Sequence, residues 1–385
     1  MLAPLVTAEA PPASAQPAPR RGRKILRTVV SAVLVAATFG FALPHLASYR
    51  SVWATIVAMS WLQGLVVAAA AAGSMILAWV AICAVLPSVR LRQAAVVNLG
   101  STAVANTLPA GGALAMGVSW AMLSGWGIST ADYVLYTLVS GIWNVFARLS
   151  LPALALVILL TAGRPDAGLL TGAAVALALL ALVALALGLL LRSEHLAVRA
   201  GHGLQRAVTT GRRLCRRRPP VDVTGSVLDF RARAAALLRA RGWRITVATA
   251  GCQLTLWLLL LACLRGAGLS QAQVSWQESL AAFAFIRLLT VVPITPGGLG
   301  ITELGLVGIL ASGSGHGVTV RVTAAVLLYR ALTYLLPIPL GAAACLAWRH
   351  APALGRTRQR NPAPAPVLSA GPPGTANLMP ASGRS

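Results

Sequence analysis

Long apolar runs without charge are the feature that most constrains this chain. Residues 168–191 contain no Asp, Glu, Lys or Arg, and a helix of that length crosses about 30 Å of hydrocarbon. Five further apolar runs occupy residues 25–46, 61–86, 131–161, 245–264 and 318–348. With 57% hydrophobic and 10% charged residues, the chain is too apolar for a soluble protein. We expect an all-α, polytopic integral membrane protein with about six spans.

The formal net charge of +24 comes from arginines that lie almost entirely outside the apolar runs. The positive-inside rule produces this distribution, so it indicates membrane topology and argues against a nucleic-acid partner. We expect the protein to lie in the cell membrane of a bacterium, with both of its termini cytoplasmic. The transmembrane domain is predicted at residues 25–350, between disordered tails at 1–24 and 351–385.

A basic cytoplasmic segment is predicted at residues 192–244, inserted into the transmembrane domain. Inside it, apolar residues recur at the spacing of a helix that also carries several arginines. Two interpretations are open: the helix binds the anionic inner leaflet, or it is a solvated anchor that only fixes the topology. The apolar positions are Val227, Phe230, Ala234 and Leu237.

Residues 293–310, PITPGGLGITELGLVGIL, are apolar but interrupted. Pro296 and the glycines Gly297, Gly298 and Gly300 break a helix and let a ligand approach the backbone. A helix that restarts near Ile301 would direct its free N–H groups into the break, as in many secondary transporters. A plain turn between two spanning helices is the alternative. In the first case, a large residue at Gly298 or Gly300 is expected to abolish activity.

An earlier segment has the same character. Residues 94–108 and 113–124 flank Pro109, and neither piece is long enough to span. Asn98 and Pro109 lie on one small, polar helix face. Pro109 precedes Arg148 by 39 residues and Pro293 precedes Arg330 by 37. The two halves therefore predict an inverted repeat in which each contributes a re-entrant hairpin.

Few ionisable residues lie within the apolar runs. A central charge costs about 2.5–3.5 kcal/mol on insertion scales, so each should face a partner or a wet cavity. Glu303 can neutralise only one of Arg287 and Arg330, and we expect the arginines, with Tyr334 one turn beyond Arg330, to bind a phosphate. The alternative is that each arginine only stabilises the fold. The ionisable residues are Arg148, Glu278, Arg287, Glu303 and Arg330.

Signatures of catalysis are missing from the sequence. It has no paired carboxylates, histidine cluster, GxSxG motif or phosphate-binding loop, and its five cysteines lack metal-ligand spacing. We therefore expect no catalytic residues, no metal and no cofactor, and we expect the chain not to be an enzyme.

Three stretches resemble the transmembrane family of lysylphosphatidylglycerol synthases. They are NLGSTAVANTLPAGG (residues 98–112), FAFIRLLTVVPITPGGLGITELGL (283–306) and VLLYRALTYLLPIPLGAA (326–343). The resemblance implies an integral membrane domain that, in the multiple-peptide-resistance proteins, flips aminoacylated phosphatidylglycerol. A separate cytosolic domain performs aminoacyl transfer there, and residues 351–385 do not resemble it. By motif match, the resemblance assigns importance to Arg287, Pro296, Gly297, Gly298, Gly300, Glu303 and Arg330.

These features predict a protein that moves an anionic phospholipid, or a lipid-linked intermediate, between leaflets. Its expected partners are membrane lipids with a phosphate group, and a membrane-protein partner or a second copy of the chain is a further option. Two rival functions are a membrane-embedded subunit of an aminoacyl or glycosyl transferase and a non-catalytic scaffold.

Overall fold

Helices form every regular element in the residues that the computed structural model describes, which are 49–108, 111–161, 171, 174–175, 177–185, 223–290 and 296–350. The first half contains α1 (Tyr49–Val57), α2 (Trp61–Val85), α3 (Leu91–Thr107), α4 (Gly111–Gly125) and α5 (Thr130–Thr161). The second half contains α6 (Val223–Gly266), α7 (Trp276–Leu289), a 3₁₀ turn (Pro296–Gly298), α8 (Ile301–Leu310), α9 (His316–Arg330), a π-helical turn (Ala331–Leu335) and α10 (Pro337–His350).

Four stretches of these helices are long and apolar enough to cross a membrane: Trp61–Val85, Thr130–Ile158, Asp229–Gly266 and His316–Trp348. They correspond to four of the six predicted spans, and the all-α membrane fold is confirmed. The predicted span at 25–46 lies outside the described residues, as do both tails and half of 168–191.

Both interrupted segments are helix–break–helix units, which we name hairpin 1 (α3 and α4) and hairpin 2 (α7 and α8). The longest of these four helices, α3, has 17 residues and is about 26 Å long at 1.5 Å per residue. Val89 precedes hairpin 1 and Trp126 follows it, and the two residues belong to one apolar cluster. Leu269 precedes hairpin 2 and Leu310 is its last residue, and these two belong to a second apolar cluster. That each hairpin re-enters one face of the membrane stays a prediction.

The tips of the two hairpins meet in the middle of the molecule, where each contacts the long helix of the other half. Hairpin 1 lies along α10, and the packing is so close that a Cβ at Gly341 would overlap the Leu99 carbonyl and Ala103. Hairpin 2 lies along α5, and Arg148 of α5 reaches the end of α7. These reciprocal contacts enclose the centre of the protein with elements from both halves.

Helix α6 differs from the sequence prediction at its start. It begins at Val223 and runs without interruption to Gly266, 44 residues that extend about 66 Å. Residues 223–244 therefore continue the spanning helix instead of forming a separate element. Ala234 is buried, and Phe230 and Leu237 pack with it against Val85 of α2 and Val139 of α5. The apolar face of this basic helix thus packs on protein, which neither interpretation of it had foreseen.

Candidate functional site

A cavity of about 600 Å³ lies where the two hairpin tips meet. Its walls come from α2, α3, α5, α6, α7, α8, α9 and the start of α10, together with the 3₁₀ and π-helical turns. Polar side chains from both halves of the chain line it. They are Ser74, Asn98, Thr102, Asn106, Arg148, Arg287, Thr290, Thr302, Tyr329, Arg330, Thr333 and Tyr334.

The break in hairpin 2 depends on glycine. Gly297, Gly298 and Gly300 have φ angles of 60°, 68° and 82°, in the left-handed region that residues with a Cβ avoid. Space is also restricted, because a Cβ at Gly298 would lie 3.0 Å from Thr302 Oγ1. Helix α8 restarts at Ile301 as predicted, and Ile301 and Thr302 line the cavity.

Glu303 holds this break in place. Its carboxylate is fully buried and accepts a hydrogen bond from the Gly300 N–H at 2.7 Å. The other carboxylate oxygen accepts one from Arg330 Nε at 2.6 Å, and Arg330 Nη2 donates to the Gly297 carbonyl at 3.0 Å. One ion pair therefore joins the start of α8, the 3₁₀ turn and the end of α9.

Tyr334 connects the same region to hairpin 1. It lies in the π-helical turn, with its ring 4.8 Å from the Arg330 guanidinium carbon. Its hydroxyl donates to the Asn106 carbonyl, and Asn106 Nδ2 donates to the Tyr334 carbonyl at 3.1 Å. The tip of hairpin 1 is thereby attached to the long helix that also holds hairpin 2.

Arg287, on α7, has a neutral partner. Its Nε and Nη2 donate to Gln253 Oε1 on α6 at 3.1 and 2.7 Å. Its guanidinium carbon lies 5.6 Å from the centre of the Phe283 ring. The sequence predicted that Glu303 would neutralise one arginine only; the structure shows that this arginine is Arg330 and not Arg287.

Arg148, on α5, is the third arginine of the cavity wall. Its Nη1 donates to the Thr290 carbonyl at 3.2 Å, just beyond the end of α7. Its Nε is buried and has no hydrogen-bond partner among the described residues. Arg148 lines the same cavity as Arg287, and like charges in one cavity repel each other.

The cavity is strongly biased towards positive charge. Three guanidinium groups line it, and no carboxylate does among the described residues. Glu303, behind the wall, is bound to Arg330. A guanidinium offers a planar set of N–H donors that matches phosphate oxygens. The arrangement can therefore hold an anion.

The structure brings most of the predicted site residues together. Those that line the cavity are Asn98, Arg148, Arg287, Gly297, Gly298, Arg330 and Tyr334. Gly300 and Glu303 lie directly behind its wall, and Pro296 starts the 3₁₀ turn. Pro109 lies outside the described residues. No group of three metal-ligating side chains occurs in the part of the chain that the structure describes.

Sequence reasoning missed three residues that bind the arginines and hairpin tips: Asn106, Gln253 and Thr290. All three are neutral, whereas the prediction of buried polar partners rested on the ionisable residues of the apolar runs. A signal did exist for Gln253, because an amide in the middle of the run at 245–264 needs a polar partner just as a charge does.

Four apolar spans, two broken hairpins and a central cavity rich in arginine define a polytopic helical membrane protein with an internal polar site. The chain belongs to the family described as the lysylphosphatidylglycerol synthase transmembrane region, whose family model matches residues 24–341. The family relates the chain to lipid modification or translocation in membranes. No curated protein matches the sequence closely enough to count as a relative.

Proposed function

We propose that this protein moves an anionic phospholipid, or a lipid-linked intermediate with a phosphate group, from one leaflet to the other. The observation that carries the proposal is the central cavity, where three arginines face one carboxylate that is already paired. A headgroup that crosses the hydrocarbon unaided loses its hydration and pays the full desolvation penalty. In the cavity, arginines and broken backbone replace that hydration.

The hairpins supply the polar backbone that such a route needs. Non-helical backbone inside a bilayer is tolerated where it is buried in protein or lines a cavity. Residues 297 and 298 line this cavity, and the start of α8 adds its positive dipole end. We propose that the headgroup passes between the hairpin tips while the acyl chains stay in the surrounding lipid.

The chain acts without catalysis in this proposal, so the lipid leaves chemically unchanged. Its location is the cell membrane of a bacterium, with both termini cytoplasmic, because the basic residues follow the positive-inside rule. A membrane-protein partner or a second copy of the chain is compatible with transport and is not needed by it.

Reconstituted vesicles test the proposal. Purified protein is placed in vesicles that contain fluorescent phosphatidylglycerol, and an impermeant quencher reports which leaflet holds the label. We expect exchange at least about tenfold faster than in protein-free vesicles, which corresponds to a barrier lowered by about 1.4 kcal/mol. Equal rates with and without protein would overturn the proposal, and recovery of a modified lipid would favour the transferase function.

A matched pair of variants ties transport to the cavity. Thr102 lines it, so Thr102→Trp fills part of its volume and should slow exchange to the protein-free rate. Leu62 is 55% exposed on α2, so Leu62→Trp adds the same side chain at the periphery and should leave exchange unchanged. Equal effects of the two substitutions would mean that the lipid takes another route.

A further inference from the structure

We infer that the cavity selects lipids that carry a phosphate but no ammonium group, and that Arg148 and Arg287 hold the phosphate between them. The inference rests on the proposed function and adds a substrate class to it. This substrate class excludes the lysylated lipid that appears in the name of the family.

Arg148 and Arg287 are the two cavity arginines whose charges remain available to bind an anion. Arg330 has its charge neutralised by Glu303 and its Nη2 bound to the Gly297 carbonyl. Among the described residues, the Arg287 side chain donates only to the amide oxygen of Gln253, and the Arg148 side chain only to the Thr290 carbonyl. These neutral oxygens satisfy donors without compensating either charge, and Arg148 Nε has no hydrogen-bond partner in the same part of the chain.

Arg148 reaches the helix that carries Arg287, because its Nη1 donates to the Thr290 carbonyl just beyond the end of α7. Both arginines line one cavity, where their like charges repel each other. An anion between them relieves this repulsion and accepts hydrogen bonds from both guanidinium groups.

An ammonium group has nowhere to bind in the described part of this site. The lining includes no carboxylate. Of the four acids that the structure describes, Glu303 is bound to Arg330, Asp132 pairs with Arg233, and Glu278 caps the start of α7. Asp229 is exposed on the basic part of α6.

The aromatic rings of the site are also unavailable to an ammonium group. Cations are commonly recognised by the faces of aromatic rings. Of the three aromatic side chains in the lining, two are covered by the protein's own arginines, Tyr334 by Arg330 and Phe283 by Arg287, and the third, Tyr329, is buried. A lysylated headgroup would therefore bring its positive charges to a wall that already carries unneutralised ones.

Binding to the purified full chain in detergent tests this inference without any transport step. The thermal unfolding midpoint is measured against increasing concentrations of four probes: dihexanoyl-phosphatidylglycerol, its lysyl ester, dihexanoyl-phosphatidylcholine and inorganic phosphate. We expect the first probe to raise the midpoint at concentrations about tenfold or more below those of the lysyl ester and phosphatidylcholine, since one charge-assisted hydrogen bond contributes at least that much. A lysyl ester that binds as well as its parent lipid would overturn the inference.

Inorganic phosphate distinguishes between a lipid headgroup and free phosphate as the ligand of the two arginines. If it raises the midpoint only at concentrations far above those of the short-chain lipid, the ligand is a lipid headgroup. If it acts as well as the lipid does, the site between the arginines is a free-phosphate site and the lipid assignment is overturned.

Substitutions locate the site. Arg148→Gln and Arg287→Gln should each weaken binding of dihexanoyl-phosphatidylglycerol by about tenfold or more, whereas Arg92→Gln, at an exposed arginine on α3, should not. Arg148→Gln should also leave the ligand-free midpoint unchanged or higher, because it removes repulsion from Arg287. Unaltered binding in both cavity variants would overturn the assignment of the site.

Arg148→Lys covers the case in which Arg148→Gln does not fold. Lysine keeps the charge but loses the planar fork, so Arg148→Lys should retain the ligand-free midpoint and still weaken binding.

Failure of the inference is distinguishable from failure of the proposed function. Vesicles that move lysylated lipid as fast as phosphatidylglycerol overturn the inference alone, and selective binding without exchange overturns transport alone.

Discussion

At the scale of the residue, Gly297 has the least tolerance for a side chain in the described part of hairpin 2. Its φ is 60°, and a Cβ there would overlap the Tyr334 ring and lie 3.3 Å from Asn106 Oδ1. The absence of a side chain thus lets the tip of hairpin 2 touch both Tyr334 and, in the other half of the chain, Asn106.

Gly297→Ala should destabilise the protein and abolish lipid exchange. The left-handed conformation alone costs about 1–2 kcal/mol, and displacement of Tyr334 breaks its bond to Asn106. The matched control is Gly308→Ala in α8, where a Cβ meets nothing within 4 Å and helix propensity should improve by up to about 1 kcal/mol. The thermal unfolding midpoint and the lipid exchange rate are measured for both variants. Identical values for the two variants would refute this role of Gly297.

The importance of these residues was predictable because proline and glycine change the backbone in any context. The partner of each arginine was not predictable in this way. Arg330 and Glu303 are 27 residues apart and Arg287 and Gln253 are 34 apart, so packing of whole helices decides which side chains meet. From the sequence alone, Glu303 could pair with either arginine.

At the scale of the element, the same capping position serves two purposes in hairpin 2. Glu278 is the third residue of α7 and accepts from the Ser275 N–H at 3.0 Å. Glu303 is the third residue of α8 and accepts from the Gly300 N–H in the same manner. Only Glu303 also neutralises a buried arginine, so the two acids form a natural comparison.

Glu303→Gln should cost about 3–5 kcal/mol of unfolding free energy, because it leaves the charge of Arg330 without its partner. Glutamine still caps the helix, so a lost cap does not contribute. Glu278→Gln makes the same chemical change at an exposed position and should cost no more than about 1 kcal/mol. Denaturant unfolding in detergent measures both values, and an equal loss in both would show that Glu303 contributes only as a cap.

Elements with strong periodic or apolar patterns were predicted well, and elements defined by contact were not. The four described spans and the short helices of both hairpins follow from run length and from proline and glycine. The uninterrupted helix α6 does not follow from these signals, because its basic surface is typical of a segment exposed to water. Its apolar stripe packs against α2 and α5, and this tertiary contact keeps the helix unbroken.

At the scale of the whole molecule, the charged residues mark two opposite ends. One end carries Arg90 and the ion pair between Asp132 and Arg233, whose atoms are 3.7 Å apart. The other carries Arg50 and the contact in which Arg321 Nη1 donates to the Gly268 carbonyl at 2.9 Å. Loop charge predicts that the first end is cytoplasmic and the second is external.

Cysteine labelling in cells tests the proposed orientation. In a chain whose native cysteines are replaced, Arg50→Cys and Ala272→Cys should react with an impermeant reagent from outside, because both positions are exposed and belong to the external end. Arg90→Cys, equally exposed, should react only after the membrane is opened. External labelling at position 90, with none at 50 and 272, would invert the orientation.

The contact between Asn106 and Tyr334 has a consequence for the order of synthesis, since 228 residues separate the two. A ribosome completes hairpin 1 early, whereas α10, which covers α3, is made near the end of the described chain. During that interval the small-residue face around Ala103 lacks the helix that it is shaped to meet. Hairpin 1 therefore reaches its final environment among the last parts of the protein, although it is translated among the first.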